Sequence, residues 1–555
     1  MEHSALHALE LIGQVITLGG AFFVLWLIGP ASRALKGHSG HEELKAAMTV
    51  AAVRWVTWGA LGAALATALN LLVQVEETQG RTVFGGVELS LAIKFAVVTR
   101  VGQFSLIRIG ILLVTAAVVR FTGAWKWWLV LAGAFGSVVF TSFVSHAAAQ
   151  PTERVPMVAA QISHITGAAL WVGVLIHLLA ARRSIEGPDG KQGVGFLAEI
   201  VRRFSPVALT VTSLLGISGV WMIYRFLAEP SAVFTSAYGL TLMVKLLLLT
   251  PAIYAGWINF RVVRPALIEF AKDSADTASD GEASREKGNV LRRFGRALEL
   301  EVTAGILVIT AAGILASVSP PGEAGAYRLT TRQEQAILQP HLPVTRVATS
   351  ASFYGAQERS LDDLRYAEFT HNWSGIMVCL LGLGWLVQSA RGRLGEWGER
   401  GWPLLLIPFA LFVAVASDPE VWLFRQVSPA QVLRDPQLLE HQLGAVMILI
   451  LAWLGWRHPA RTDGSGRASY VLPTVLMAGG ILLLGHAHST LNITEELTNL
   501  INFQHAIFGT FIILAGTVNW LGLRGLFPRR AGNVIWPCLV IGLGLYMAFC
   551  YRETV

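Results

Sequence analysis

Apolar windows of about 20 residues, the length that a helix needs to span a bilayer, recur along the whole chain between short polar stretches. The pattern predicts about fourteen transmembrane helices. They lie near residues 7–29, 51–75, 101–121, 127–147, 158–180, 205–228, 238–259, 297–318, 372–389, 402–418, 439–456, 470–488, 502–522 and 534–551.

Continuous apolar runs such as Leu112–Val119 lack the alternation of a transmembrane β-barrel. Composition agrees, because 54% of the residues are hydrophobic, 14% are charged and the mean hydropathy is +0.55. The first span is not expected to be a cleaved signal peptide, since its leader carries Glu2 and no Lys or Arg. The chain is therefore predicted to be an all-α, polytopic integral membrane protein.

Basic residues indicate how these spans are oriented. The loops Ala228–Tyr238 and His488–Ile501 carry almost no Lys or Arg, whereas the alternate set of loops is basic. By the positive-inside rule, the basic loops face the cytoplasm and both termini face the periplasm of a bacterial inner membrane. The formal charge of +7 thus reflects topology, and no nucleic-acid partner is expected. The basic loops lie near residues 33–45, 182–203, 261–296, 391–400, 457–467 and 524–530.

The spans fall into two predicted helical bundles. Residues 1–320 hold eight spans and residues 370–555 hold six. The connecting segment, 321–369, is polar, carries Pro321 and Pro340 and is predicted to be periplasmic. It is too short to bury a substantial core of its own.

Histidines concentrate at the predicted outer ends of the spans. Any single one is explained as an interfacial residue hydrogen-bonded to its surroundings. As a set they indicate more, because polar groups in a membrane usually mark a pathway or a cofactor and imidazole is a common metal ligand. The set is His7, His146, His164, His371, His441, His486, His488 and His505. Four of them are followed by a glycine that clears space for a neighbouring helix or a flat cofactor, namely Gly167, Gly375, Gly444 and Gly509.

The pattern predicts two sites. In the first half, His7, His146 and His164 are predicted to share a metal ion and to capture it at the periplasmic face, before passage through spans four to eight. In the second half, His371, His441, His505 and one of His486 or His488 are predicted to line a single outward-opening cavity. Residues two apart on a helix point about 200° apart, so only one of the last pair faces inward. Overlaying the two histidine-bearing hairpins from Ser145 and Gly485 favours His486.

An ordered set of short motifs runs through the first half. It comprises HITGAALWVG from His164, RFSP from Arg203, YGLTLMVK from Tyr238, Asn259 and SVSPP from Ser317. With this set, residues 1–320 resemble the copper-resistance D family (CopD/PcoD), membrane proteins associated with moving copper from periplasm to cytoplasm. The resemblance implies copper as the ion and a periplasmic copper-binding protein as a partner. His177 departs from it, at a place expected to be apolar.

Haem is the alternative chemistry, because two histidines from facing helices can clamp a b-type haem. In the first half, His164 and His177 lie on one predicted helix and no second helix repeats their spacing, which favours a metal ion. In the second half, copper and haem b both stay open. Thioethers would favour Cu(I). The candidate thioethers are Met157 and Met222, near the outer ends of spans five and six, and Met377 and Met447, about two turns below His371 and His441. Scattered methionines in a membrane protein otherwise fill the core.

Enzyme motifs are missing from the sequence, which has no P-loop, no H-E-x-x-H and no C-x-x-C. The three cysteines, Cys379, Cys538 and Cys550, lie in predicted spans and indicate no disulfide framework. The sequence thus favours copper uptake or handling over enzymatic activity. The alternatives are an electron-transfer subunit of a larger respiratory-type membrane complex, with haem in the second half, and a structural subunit of such a complex.

Overall fold

All regular structure in the described part of the chain is helical, and no strand occurs there. The structure is a computed structural model. It describes residues 2–35, 40–79, 86–150, 153–185, 190–273, 281–322, 329–347, 360–390, 393–423, 425–457, 467–484 and 494–555. The predicted all-α membrane fold is confirmed.

The first half of the chain contributes the following helices in the described residues. They are α1 (Glu2–Phe22), α2 (Gly29–Ala34), α3 (His41–Glu77), α4 (Leu89–Val98), α5 (Arg100–Val118), α6 (Lys126–Ser142), α7 (His146–Ala149), α8 (Arg154–Ala168), α9 (Val174–Ile185), α10 (Gly190–Leu227), α11 (Ala232–Thr235), α12 (Ala237–Ile258), α13 (Arg264–Asp273) and α14 (Gly281–Leu315).

Three π-helical segments join helices of the first half end to end. Phe23–Ile28 joins α1 to α2, Ala169–Gly173 joins α8 to α9, and Asn259–Val263 joins α12 to α13. Each pair is therefore one continuous rod with a widened turn inside it. Such turns are uncommon and are frequent at functional sites.

The connecting segment contributes α15 (Thr331–Leu338), and the second half contributes the remaining helices. They are α16 (Leu361–Gln388), α17 (Arg393–Ala416), α18 (Pro419–Trp422), α19 (Pro429–Val432), α20 (Pro436–Arg457), α21 (Val471–Leu484), α22 (Glu495–Leu523) and α23 (Arg529–Phe549), with a 3₁₀ turn at Arg467–Tyr470.

Within the described ranges, 11 helices are long and apolar enough to cross a membrane. The helices α6 and α21 are apolar but shorter, and α16 has a polar first part. Each predicted span thus corresponds to a described helix, but the number of crossings is not confirmed as fourteen. Two local differences stand out. α6 ends at Ser142, so that His146 begins the separate helix α7, and α4 is an apolar helix that the window pattern did not single out.

Glycines bring α1 into backbone contact with the α8–α9 rod. A Cβ built on Gly19 would lie 2.6 Å from the Cα of Gly173, and one built on Gly173 would overlap the carbonyl oxygen of Val15. Only residues without a Cβ allow this approach. The contact seats the α8–α9 rod, which carries His164, against α1, which carries His7.

We expect Gly173→Ala to destabilise the protein by about 1–3 kcal/mol or more, because the new methyl group meets backbone that cannot rotate away. Gly216→Ala is the matched control. A Cβ at Gly216 meets no atom within 4 Å, so this substitution should be neutral or slightly stabilising. Thermal unfolding in detergent compares the two, and equal unfolding midpoints would show that α1 and the rod are not in such close contact.

The two halves pack against each other through α12 and α14 on one side and α21 and α22 on the other. Leu240, Val244 and Ile314 share a buried hydrophobic cluster with Phe503 and Ile513. A charged contact accompanies this apolar interface. Glu299 accepts from Arg182 of the first half at 3.4 Å and from Arg524 of the second half at 2.7 Å.

Candidate functional site

A cavity of about 480 Å³ lies in the second half, between α16, α17, α20, α21, α22 and α23. His371, His441 and His505 line it, each in the first half of its own helix. Three of the predicted second-half histidines lie within the described residues, and the structure places all three at this one cavity. His486 and His488 lie outside the described residues.

Hydrogen bonds orient the imidazoles of His371 and His505. In His371, Nδ1 lies 2.8 Å from the carbonyl oxygen of Ala367, and in His505, Nδ1 lies 2.9 Å from that of Ile501. A carbonyl oxygen can only accept, so Nδ1 donates in both rings. In a neutral imidazole the lone pair is then on Nε2, so Nε2 is the ring atom that could bind a metal ion. The two rings lie edge to face, with centroids 5.4 Å apart.

The third imidazole, His441, has a carboxylate partner in place of a carbonyl. Its Nδ1 donates to Oδ1 of the buried Asp418 at 2.7 Å, and the amide of Gln442 donates to the other oxygen at 2.9 Å. A carboxylate behind an imidazole fixes the tautomer and increases the basicity of Nε2, as in metal sites. Nearby, Asp435 caps α20, and burial raises the pKa of its carboxyl group, with Asp418 adding to the effect.

The C-terminal segment returns to cover this end of the cavity. Tyr551 is fully buried and stacks on His371, with ring centroids 4.0 Å apart. Glu368 of α16 holds the segment by accepting from the backbone amides of Glu553 and Thr554 at 2.8 and 2.7 Å. Nothing in the hydropathy pattern marks this return, because residues 552–555 lie beyond the last apolar window.

The lining of the cavity carries the donor types that a soft cation prefers, but no three His, Cys, Asp or Glu side chains among the described residues are arranged there to hold an ion. Besides three imidazoles, it includes the thioethers of Met447 and Met547 and the carboxylates of Glu440 and Glu553. None of the described lining residues is Lys or Arg. Carboxylates attract cations to a low-dielectric cleft, and imidazole with thioether is a donor set that favours Cu(I). The sequence predicted Met447 near His441 but missed Met547.

A haem clamped between His371 and His505 does not fit this arrangement. Their rings are in edge-to-face contact at 5.4 Å, and Tyr551 covers the other face of His371. A macrocycle between the two rings would have to push them apart. The predicted haem alternative would have to rely on His441 with a different second ligand.

The glycines after these histidines serve helix packing more than ligand space. A Cβ on Gly375 would meet the backbone of α23, and one on Gly509 would meet the backbone of α21. Gly167 likewise faces Leu215 of α10. Gly444 alone among the four has no atom within 4 Å of its hypothetical Cβ, and it lines the cavity.

The first-half histidines are held by separate partners. His146 Nε2 donates to the carbonyl oxygen of Ala316 at 3.0 Å, and His164 Nδ1 is hydrogen-bonded to the hydroxyl of Ser218 at 3.1 Å. His7 lies 3.8 Å from the carboxylate of Glu10. Among the described residues, no group of three or more His, Cys, Asp or Glu is arranged to hold a metal ion. The structure therefore does not bring His7, His146 and His164 together as one site.

A buried ion pair lies beside His7 that the sequence pattern did not reveal. Arg108 of α5 donates to the Glu10 carboxylate of α1 at 3.1 Å, and both side chains are almost fully buried. Gln14 and Thr141 add hydrogen bonds to the same carboxylate at 3.2 and 3.3 Å. The helices α1, α5 and α6 thus meet at a polar network within the membrane-spanning region.

Comparison with known families decides the assignment of the first half. The family described as "Copper resistance protein D-like, N-terminal domain" matches residues 4–155, and "Copper resistance protein D" matches residues 198–315. The first half of the chain belongs to the copper resistance protein D family. The first half thus resembles bacterial copper resistance membrane proteins, as the sequence analysis predicted.

A curated relative of the chain is the "Copper transport protein CutJ" of Bacillus subtilis (strain 168). It is 28% identical over 205 residues, which is 37% of this chain and 33% of the relative. The match thus spans about a third of the length of that relative. No solved structure matches the chain.

Proposed function

We propose that the protein takes up copper from the periplasm and moves it toward the cytoplasm, with the second-half cavity as the capture site. The observation that carries the proposal is the donor set of that cavity. Three imidazoles, two thioethers and two carboxylates line it, without a Lys or Arg among the described lining residues. Membership of the first half in a copper resistance family makes copper the cation of choice.

The first half supplies the membrane passage in this proposal. His7, His146 and His164 stay predicted contacts along it, at separate positions and not as ligands of one ion. Two thioethers in the cavity favour Cu(I) over Cu(II) as the transported form. A periplasmic copper-binding protein is the proposed donor, facing the end of the cavity that Tyr551 covers.

Copper uptake into proteoliposomes tests the proposal. Vesicles with the full chain should accumulate Cu(I) faster than empty vesicles. In the double variant His371→Ala/His505→Ala, the protein-dependent rate of uptake should fall at least about tenfold. Removing only the hydrogen-bonding partner of a metal ligand already lowers metal affinity by about 10–100-fold. His41→Ala, in the other half, is the control and should transport normally. A wild-type rate equal to that of empty vesicles would refute copper transport.

The direction of transport depends on the predicted topology, which has its own test. Reporter fusions at Gly281 and at Val555 should report opposite compartments, with Gly281 in the cytoplasm, because the loops around residues 261–296 are basic. Reports of one shared compartment would contradict the assignment of the cavity to the periplasmic side.

A further inference from the structure

Glu301 of α14 is a carboxylate near the middle of a membrane-spanning helix. It is 4% exposed. Its Oε1 accepts from the indole of Trp171 at 2.8 Å, and its Oε2 accepts from the amide of Asn259 at 2.9 Å. Gly256 leaves room beside it, since a Cβ there would lie 3.1 Å from Oε1. Polar groups at this depth are costly and mark function.

Both hydrogen-bond donors to this carboxylate are neutral, and among the described residues no ion pair involves Glu301. The nearby Glu299 differs, since its carboxylate pairs with Arg182 and Arg524. Lys245 of α12 interacts electrostatically with His164. The imidazole of His177, on α9, is hydrogen-bonded to the backbone carbonyl oxygen of Ile16. Among the described residues, the helices packed around α14 also carry Glu10, which is paired with Arg108, and His3 and His7, which lie beside Asn70 and Glu10. Arg261, Arg264 and Glu269 lie at the α13 end of the α12–α13 rod, and Arg292, Arg293 and Arg296 precede Glu301 on α14 itself.

The amide of Asn259 can serve both protonation states of Glu301. It now donates through Nδ2 to Oε2, while its own Oδ1 is buried and has no hydrogen-bond partner among the described residues. If Oε2 takes up a proton, the new O–H needs an acceptor. Rotation of the amide by half a turn presents Oδ1 to it. A paired Arg or Lys would hold the carboxylate ionised, whereas this amide adapts to either state.

We infer that Glu301 is a proton-binding site of the copper resistance half, where the carboxylate takes up one proton at Oε2 and releases it again. Its two donors sit in the π-helical segments, with Trp171 inside Ala169–Gly173 and Asn259 opening Asn259–Val263. Protonation thus changes hydrogen bonds at the widened turns of two rods. The coupling of this proton to copper movement rests on the proposed function, but the proton site itself does not.

Infrared spectroscopy of the full chain in detergent tests the proton site without copper. A protonated-carboxyl stretching band should appear and disappear reversibly as pH is varied, and it should be absent in Glu301→Gln. Glu299→Gln is the control and should keep the band. Trp171→Phe should keep it at a changed frequency, because the hydrogen bond to Oε1 is lost. Equal, pH-dependent bands in wild type and Glu301→Gln, or no titrating band in wild type, would overturn the inference.

Proton flux in proteoliposomes tests the coupling separately. Copper entry should be accompanied by proton movement, reported by a trapped pH dye, and Glu301→Gln should lose that movement while its Cu(I) binding is retained. Proton movement in Glu301→Gln equal to wild type would refute coupling at this residue. If wild type carries no copper, the copper proposal fails and coupling fails with it, but the infrared result still stands for the proton site.

Discussion

Replacing Arg108 by leucine is expected to lower the free energy of unfolding by about 3–5 kcal/mol, because it leaves the buried Glu10 carboxylate without its cation. His7 lies 3.8 Å from that carboxylate and is a weaker substitute. Most of the loss comes from the desolvation of an unpaired charge, and the membrane environment does not relieve it.

Two further variants separate this charge effect from simple loss of packing. Arg100→Leu, on the same helix but exposed, should change stability by no more than about 0.5 kcal/mol. The double variant Glu10→Leu/Arg108→Leu should recover much of the loss, since it removes both charges. Equilibrium unfolding in mixed micelles measures all three. An Arg108→Leu effect as small as that of Arg100→Leu would mean that the ion pair is not buried.

Removing the imidazole of either His371 or His505 should weaken Cu(I) binding by at least about 10–100-fold. A loss of that size is typical when only the hydrogen-bonding partner of a metal ligand is removed. The substitutions are His371→Ala and His505→Ala, each of which removes an imidazole from the lining of the cavity. If both rings ligate one ion, the double variant should lose little more than either single one, because the two ligands act as a unit.

Competition with a Cu(I) chelator measures these affinities, and His41→Ala serves as the control. Asp418→Asn adds a test of the support to His441, since it removes the carboxylate from Nδ1 and should weaken binding without removing a ligand. If the His371→Ala and His505→Ala variants bind Cu(I) as tightly as the wild type, the two imidazoles are not copper ligands and serve only the structure.

Hydropathy predicted which segments form long apolar helices but not which neighbours those helices contact. A window of apolar residues reports that a helix crosses the membrane, and every predicted span corresponds to a described helix. It does not report which face of the helix meets which partner. The sequence did predict that His371, His441 and His505 lie at one cavity. Helices that each carry a histidine avoid the free-energy cost of an imidazole in lipid when those histidines face a shared interior.

The first-half site shows the limit of that reasoning. His146 and His164 frame one hairpin, but α6 ends before His146, and the two rings bond to the segment after α14 and to α10 respectively. The glycine spacing likewise misled, because Gly375 and Gly509 admit neighbouring backbones. Contacts between distant parts of the chain, such as Glu10 with Arg108 or Tyr551 with His371, have no local signature at all.

Metal and pigment analysis of the purified full chain, loaded with Cu(I) under exclusion of oxygen, tests the central claim most directly. Elemental analysis and an absorption spectrum are recorded on the same sample. The predicted result is stoichiometric copper with no Soret band, and loss of that copper from the cavity in His371→Ala/His505→Ala. A Soret band with stoichiometric iron, or copper retained undiminished by the double variant, would contradict a copper-binding cavity.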